Sequence, residues 1–228
     1  MMTAAIIAGG GLGKRMKIPG GKQFFRVGGK PMMLYAILPF ERSNLINEII
    51  LVVPFDKVEL CKEEIVKKYS LKKIKIVVGG GERRQDSVFI ALNSVSENME
   101  LVLIHDGVRP LIGRPLVEKV IEGARQYDGV VPALKIIPTV KETDKDGYVI
   151  KTLVRENLVE VQTPQAFRYE ILKKAYKYAM EENISITDDS AAVEMVGGRV
   201  KIVEGDYRNQ KVTFPEDLEW LKVCMGLD

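Results

Sequence analysis

Cysteine and histidine are nearly absent from this chain, and no apolar run in it is long. Its two cysteines, Cys61 and Cys224, have no metal-binding spacing and fall in segments of helical pattern. They read as packing thiols, neither metal ligands nor a disulfide. No apolar stretch approaches the ~20 residues of a membrane span. Residues 1–11 are apolar but soon meet glycines, and Lys14 and Arg15 follow the apolar residues, whereas a signal peptide has its cations first. The expected location is the cytoplasm, with no membrane partner. There is no dense basic block either: 34 Lys and Arg are interspersed with 31 Asp and Glu for a net charge of +3. That balance speaks against duplex nucleic acid as a partner and leaves anion binding to a local site. Internal repeats, low-complexity tracts and inter-domain linkers are also lacking, so one domain over residues 1–228 is expected.

What the chain does have is a globular composition, 46% hydrophobic and 29% charged. Short Val-, Ile- and Leu-rich runs at residues 4–8, 49–53, 74–78, 101–104 and 129–134 read as buried strands. Helical patterns fall between them at 31–42, 57–69, 86–95 and 115–127. Such alternation predicts βαβ units, an α/β fold with a mainly parallel sheet covered on both faces. Right-handed crossovers gather the loops after the strands on one edge, where open sheets of this kind bind ligands.

The pattern breaks over residues 135–162. Pro138, extended stretches at 139–143 and 148–154 and the turn Asp144-Lys145-Asp146-Gly147 predict a hairpin, polar on both sides. Little apolar material is available to pack it at home, so it reads as a protruding arm that packs on a partner subunit or else as a surface hairpin. Helices are expected again at 168–182, 188–196 and 215–225, with a strand at 200–204. The chain ends soon after the last helix, so no fused second enzyme is expected.

Several loops carry groups suited to phosphate. The first strand runs into Ala8-Gly9-Gly10-Gly11-Leu12-Gly13-Lys14-Arg15, where glycines admit a phosphate to the backbone beside two cations. A Walker A loop would need Ser or Thr where Arg15 stands. A dinucleotide fingerprint needs a third glycine at Lys14 and an acid ending the second strand, which ends in Val53-Pro54. The third reading is a nucleotidyltransferase loop with Arg15 over a triphosphate. Lys22 follows a second glycine pair, Gly20-Gly21. Gly79-Gly80-Gly81-Glu82-Arg83-Arg84-Gln85-Asp86-Ser87 opens a helix, which suits a base edge or an anion at its N-terminus, or else plain capping by Asp86 or Ser87. His105-Asp106-Gly107-Val108-Arg109-Pro110 ends a buried strand, placing a hard carboxylate at the ligand edge, fit for Mg²⁺ bound together with phosphates. Arg109 is placed to pair with that Asp or with phosphate, and His105 reads as an orienting or core residue. Thr163-Pro164-Gln165 comes next; Thr187, before two acids, reads as a helix N-cap, and Lys211 precedes a strand-like Val212-Thr213.

In this order, over nearly the whole chain, these segments resemble the 2-C-methyl-D-erythritol 4-phosphate cytidylyltransferases. The resemblance implies a Rossmann-like nucleotidyltransferase core, similar to the glycosyltransferase-A type, with CTP, Mg²⁺ and a homodimer formed through the β-arm. It implies that Arg15 and Lys22 are catalytic, neutralising charge at the α-phosphate. Ala8, Gly9, Gly10, Gly11, Gly13, Gly81, Glu82, Ser87, Asp106 and Lys211 would hold the nucleotide, and Asp106 the metal. Asp106, Arg109, Thr163 and Thr187 would meet the acceptor, a small sugar-alcohol phosphate, with Thr139 and Arg155 supplied by the second subunit. The chain departs from the family pattern at Gly9-Gly10, where Ala-Ala is frequent, at Gly21 for Pro, at Glu82 for Asp and at Asp189 for Glu. The first and third departures bear on nucleotide affinity and base selectivity.

Under this resemblance an acceptor phosphate oxygen attacks the α-phosphorus of CTP and pyrophosphate leaves. The nucleophile is already anionic, so the site needs positioned positive charge more than a base. Three rival readings are a ribitol 5-phosphate cytidylyltransferase, a non-catalytic CTP-binding regulatory protein and a nicotinamide oxidoreductase. Retention of Arg15, Lys22, Asp106 and Lys211 together disfavours the second, and the incomplete fingerprint disfavours the third.

Overall fold

The computed structural model describes residues 1–11 and 21–227. The chain begins with β1 (Thr3–Ala8), a small hairpin of β2 (Arg26–Val27) and β3 (Lys30–Pro31), and α1 (Met32–Arg42). Next come β4 (Glu48–Val53), α2 (Val58–Cys61), β5 (Ile74–Gly79), α3 (Arg84–Leu92), β6 (Leu101–Asp106), α4 (Arg114–Ala124) and β7 (Gly129–Lys135). The arm strands β8 (Lys141–Thr143) and β9 (Val149–Thr152) are followed by β10 (Val159–Val161), β11 (Gln165–Arg168), α5 (Tyr169–Glu181), α6 (Asp189–Met195), β12 (Val200–Glu204) and α7 (Pro215–Cys224).

The main sheet runs β10-β7-β11-β6-β1-β4-β5, with β12 also paired to β7. Strands β6, β1, β4 and β5 are mutually parallel. Strand β11 lies antiparallel between β6 and β7. The period-two alternation of β1 sends Ala5 and Ile7 to one face, against Met33, Ile37 and Phe40 of α1 and Val117 and Val120 of α4. Ala4 and Ile6 meet the other face, with Val88 of α3, Leu172 of α5 and Val193 of α6. Burial of each larger side chain contributes about 1.5–3 kcal/mol, which is why continuous apolar runs, and no alternating ones, mark the central strands.

The sequence reading holds for most strands and the long helices within a few residues and fails in five places, one of them β10, which lies inside the segment read as arm but pairs with β7 in the main sheet. The helix expected at 57–69 is a single α-turn, α2, continued by a wider-wound segment, Lys62–Lys67, with i→i+5 bonds such as Lys68 N–H to the Glu63 carbonyl (3.2 Å). Val212-Thr213 is not a strand; the Val212 N–H instead donates to the Val108 carbonyl at 2.9 Å. The β2–β3 hairpin went unread because each of its strands has only two residues. Strand β11, Gln-Ala-Phe-Arg, has neither apolar alternation nor length to announce it, yet its first three residues are buried inside the sheet. The arm hairpin forms where read, as a separate two-stranded sheet whose strand residues are all exposed. Among the described residues no helix is long and apolar enough to cross a membrane.

The path of the chain positions the site. From β1 it crosses by α1 on one face to β4, and from β5 it returns by α3 on the opposite face to β6. The strand order therefore reverses between β1 and β6, whose register sets Ala8 beside Asp106. A crevice outside the carboxyl ends of the strands opens at such a reversal.

Candidate active site

A pocket of about 380 Å³ occupies that crevice, lined in part by Ala8 to Gly11, Lys22, Gly81, Ser87, Asp106 and Lys211. Its floor is backbone held apart by nothing larger than hydrogen. A Cβ on Gly80 would lie 2.7 Å from the Ser87 Oγ and 3.2 Å from the Gly10 Cα, so the loops after β1 and β5 touch only because both are glycine. Gln23, from the turn that carries Lys22, donates its Nε2 to the Gly9 carbonyl (2.7 Å) and so fixes the first loop. Lys22 is buried and its Nζ donates to the Val212 carbonyl at 2.7 Å, tying it to the segment that carries Lys211. Gly13 and Arg15 lie outside the described residues.

Asp106 is the electrostatic centre. Its Oδ2 accepts from Lys211 Nζ at 2.8 Å and lies 3.7 Å from Arg109 Nε; its Oδ1 accepts from Arg84 Nε at 3.2 Å. Burial alone would raise this carboxyl, but the three cations outweigh it and hold Asp106 well below the usual carboxylate range. Burial is also the chief cause that lowers the Arg109 guanidinium. Three cations on one carboxylate leave local positive charge facing the glycine loops, an arrangement that receives a polyanion.

Behind Asp106 sits His105, fully buried against Phe40. Its Nε2 faces the Arg109 carbonyl at 3.3 Å, and a carbonyl only accepts, so Nε2 carries the proton. Nδ1 then accepts from the Thr163 hydroxyl (3.0 Å), which in turn accepts from the Asp106 N–H at 3.1 Å. The hydroxyl proton of Thr163 is thus committed to His105, and these three groups orient Asp106. Burial pushes the His105 imidazole down to about 3 from 6.5. In the unfolded chain this histidine protonates first, so its stabilising contribution is full above pH 6.5 and lost as pH falls toward 3. Urea midpoints at pH 7, 6 and 5 should show a loss of about 2 kcal/mol over that span. His105→Gln should flatten the slope, and since no other histidine is present, an unchanged slope would contradict the assignment.

The other residues singled out in the sequence fall in different places. Ser87 accepts from the Gly81 N–H (3.1 Å) and donates to the Arg83 carbonyl (3.2 Å), while Asp86 Oδ2 accepts the Arg83 N–H at 3.0 Å to cap α3. Glu82 lies on the pocket wall. Thr187 is exposed and does not cap α6; Asp188 does, its Oδ1 accepting from the Ala191 N–H at 2.9 Å, because a carboxylate one residue nearer reaches the turn. Thr139 and Arg155 lie at the exposed arm, where Arg155 donates to the Ile137 carbonyl at 2.7 Å; neither lines the pocket of this chain. Arg84 was quoted in the sequence without a role. A cation in the first turn of a helix opposes the helix dipole, an oddity that by itself names no partner.

Among the described residues no group of three or more His, Cys, Asp or Glu is gathered to hold a metal. A Mg²⁺ bound with phosphates keeps several waters and asks for only one or two carboxylates. The Asp106 carboxylate in the pocket lining fits that requirement.

Comparison with known proteins gives one consistent result. The family model described as 2-C-methyl-D-erythritol 4-phosphate cytidylyltransferase matches residues 3–226. The protein of that name from Clostridium beijerinckii is 42% identical over 217 residues, covering 95% of each chain. Its namesake from Clostridium kluyveri is 44% identical over 218 residues, 94% of this chain and 92% of that one. Among solved structures, the 4-diphosphocytidyl-2C-methyl-D-erythritol synthase of Anaerococcus prevotii superposes with a TM-score of 0.88 at 32% identity, covering 99% of this chain and 98% of that one.

Proposed function

The chain belongs to the 2-C-methyl-D-erythritol 4-phosphate cytidylyltransferase family, and from that premise we infer the reaction of its pocket. It transfers CMP from CTP to 2-C-methyl-D-erythritol 4-phosphate, giving 4-diphosphocytidyl-2-C-methyl-D-erythritol and pyrophosphate. The observation that carries this reading is the crevice at the strand reversal, where glycine backbone and the cations Lys22, Arg84 and Lys211 surround one carboxylate, Asp106.

A phosphate oxygen of the acceptor forms a bond to the α-phosphorus of CTP as the bond to the β-phosphate bridging oxygen breaks. The base and ribose lie along Ala8 to Gly11, Gly81, Glu82 and Ser87. Gly13 belongs to the same loop; Lys22 and Arg15 supply charge at the α-phosphate. Lys211 leaves Asp106 for phosphate when the nucleotide enters, since a triphosphate outbids one carboxylate for an ammonium. Asp106 would hold Mg²⁺, which when bound adds neutralisation at the phosphates. Arg109, Thr163, Thr187 and Asp106 lie toward the acceptor.

The active form is a homodimer joined through residues 135–162. What supports this is an arm that leaves Ile137, Tyr148 and Val154 more than half exposed, at 65%, 74% and 62%. Thr139 and Arg155 at that arm serve the acceptor site of the other subunit.

The test is pyrophosphate release with CTP and Mg²⁺, comparing methylerythritol 4-phosphate with ribitol 5-phosphate. Release with the first, at least about tenfold faster than with the second, is expected for a site built around a branched four-carbon chain. Preference for ribitol phosphate would overturn the acceptor, and release with neither despite CTP binding would overturn the reaction.

A further inference from the structure

Arg84 joins the pocket to a carboxylate that never meets it. Its two terminal nitrogens donate to Asp189, Nη1 to Oδ1 at 2.9 Å and Nη2 to Oδ2 at 2.7 Å, while Nε donates to Asp106 Oδ1 at 3.2 Å. Asp189, in the first turn of α6, is fully buried and also accepts from the hydroxyl of Tyr176, itself fully buried on α5. Burial and then the Asp189 charge raise the Tyr176 phenol well above its ordinary range, so it stays a neutral donor. Arg84 is 32% exposed, with its open side in the pocket.

A fully buried carboxylate costs more to desolvate than its ion pair commonly returns, so packing alone does not account for Asp189. What the pair does supply is direction. The guanidinium is planar, and a two-point grip on Asp189 fixes that plane and with it the line of the Nε–H bond. That line ends on Oδ1 of Asp106. With Oδ1 held, only Oδ2 is left to exchange Lys211 for another partner.

We propose that Asp189 and Tyr176 are positioning residues of the transfer site, acting through Arg84 to hold the Asp106 carboxylate in a single orientation. The proposal rests on the reading of Asp106 as a site residue. Two elements that bring no residue to the pocket lining, α5 and α6, thereby determine through Arg84 of α3 which oxygen of Asp106 faces substrate.

The experiment is a set of double-mutant cycles on the full chain, reading kcat, the KM for CTP and the calorimetric affinity for CTP without metal. Asp189→Asn and Arg84→Lys should each lower kcat about tenfold, as misoriented groups do. Tyr176→Phe should lower kcat about threefold, with the KM and metal-free affinity for CTP within about twofold in the Asp189→Asn and Tyr176→Phe variants. In an Asp106→Asn background, Asp189→Asn and Tyr176→Phe should cost nothing further, because the group they orient has gone. Full kcat in both Asp189→Asn and Tyr176→Phe, or the same fold-loss repeated on Asp106→Asn, overturns the relay. Should Asp189→Asn fail to fold by its urea midpoint, the Tyr176→Phe cycle decides alone, since it removes one hydroxyl and keeps the ring packed. An Asp106→Asn enzyme of unchanged kcat would instead sink the reading of Asp106, and the relay with it.

Discussion

Lys22→Ala is expected to lower turnover by about 10²-fold or more, the loss that follows removal of one donor aimed at transition-state charge. Two anions, the acceptor phosphate and the triphosphate, must meet for the reaction to occur. The side chain is buried at the pocket wall, and its Nζ sits 2.7 Å from the Val212 carbonyl, one residue from Lys211. The carbonyl holds the ammonium at the pocket wall, beside the segment that carries Lys211. Turnover measured under saturating CTP separates this loss from weaker binding; near-normal turnover would remove Lys22 from the reaction. Mixing Lys22→Ala with Arg155→Ala subunits extends the same experiment to the shared site. Heterodimers then carry one pocket with both groups intact, and activity should return to a fraction of the wild-type value. No recovery, with heterodimers shown to form, would count against an arm acting in the other subunit's site.

Asp106→Ala is expected to damage both stability and turnover, for one electrostatic reason. Arg84 would keep Asp189 and Lys211 can turn to solvent, but Arg109 is buried and would lose the one carboxylate that lies within 4 Å of it among the described residues. An uncompensated buried charge of this kind costs about 3–5 kcal/mol. The urea midpoint should fall accordingly, and turnover should fall by about 10²-fold with loss of the carboxylate that orders the phosphate end of the pocket. Asp106→Asn, of the same shape but without charge, should recover part of the stability and little of the turnover. If Asp106→Ala unfolds no more easily than the wild-type chain, the charge balance around Arg109 has been misread. The depressed carboxyl adds a sign to the pH dependence: its contribution is full above the unfolded-state pKa and is lost as pH falls below it, so Asp106 favours the fold at neutral pH and not in acid.

Local chemistry was enough to read the parallel core and most of the pocket. Buried strands need continuous apolar runs, and residues 4–8, 49–53 and 101–104 have them, so their order and the loops after them follow from chain connectivity. The glycine loops and Asp106 at its strand end, which the sequence singled out, line the pocket at the sheet edge. Residues that act through a distant partner left no such trace. Gln23 touches the Gly9 carbonyl fourteen positions away, and Arg84 reaches Asp106 and Asp189 across 22 and 105 positions. Local periodicity carries no information about contacts at that range. Strand β11 is hidden for a related reason: a four-residue strand between two longer ones takes its stability from their hydrogen bonds and needs little pattern of its own.

The sequence by itself determined the alternation of elements, the glycine loops and the kinds of charge available, because propensity, burial and backbone freedom are properties of neighbouring residues. Only the tertiary structure decided that Asp188 and not Thr187 caps α6 and that Thr163 spends its proton on His105. It alone joined Asp189 to Asp106 through one guanidinium. Each of those outcomes depends on which acceptor lies within about 3 Å of which donor, and that distance is set by how separate elements pack.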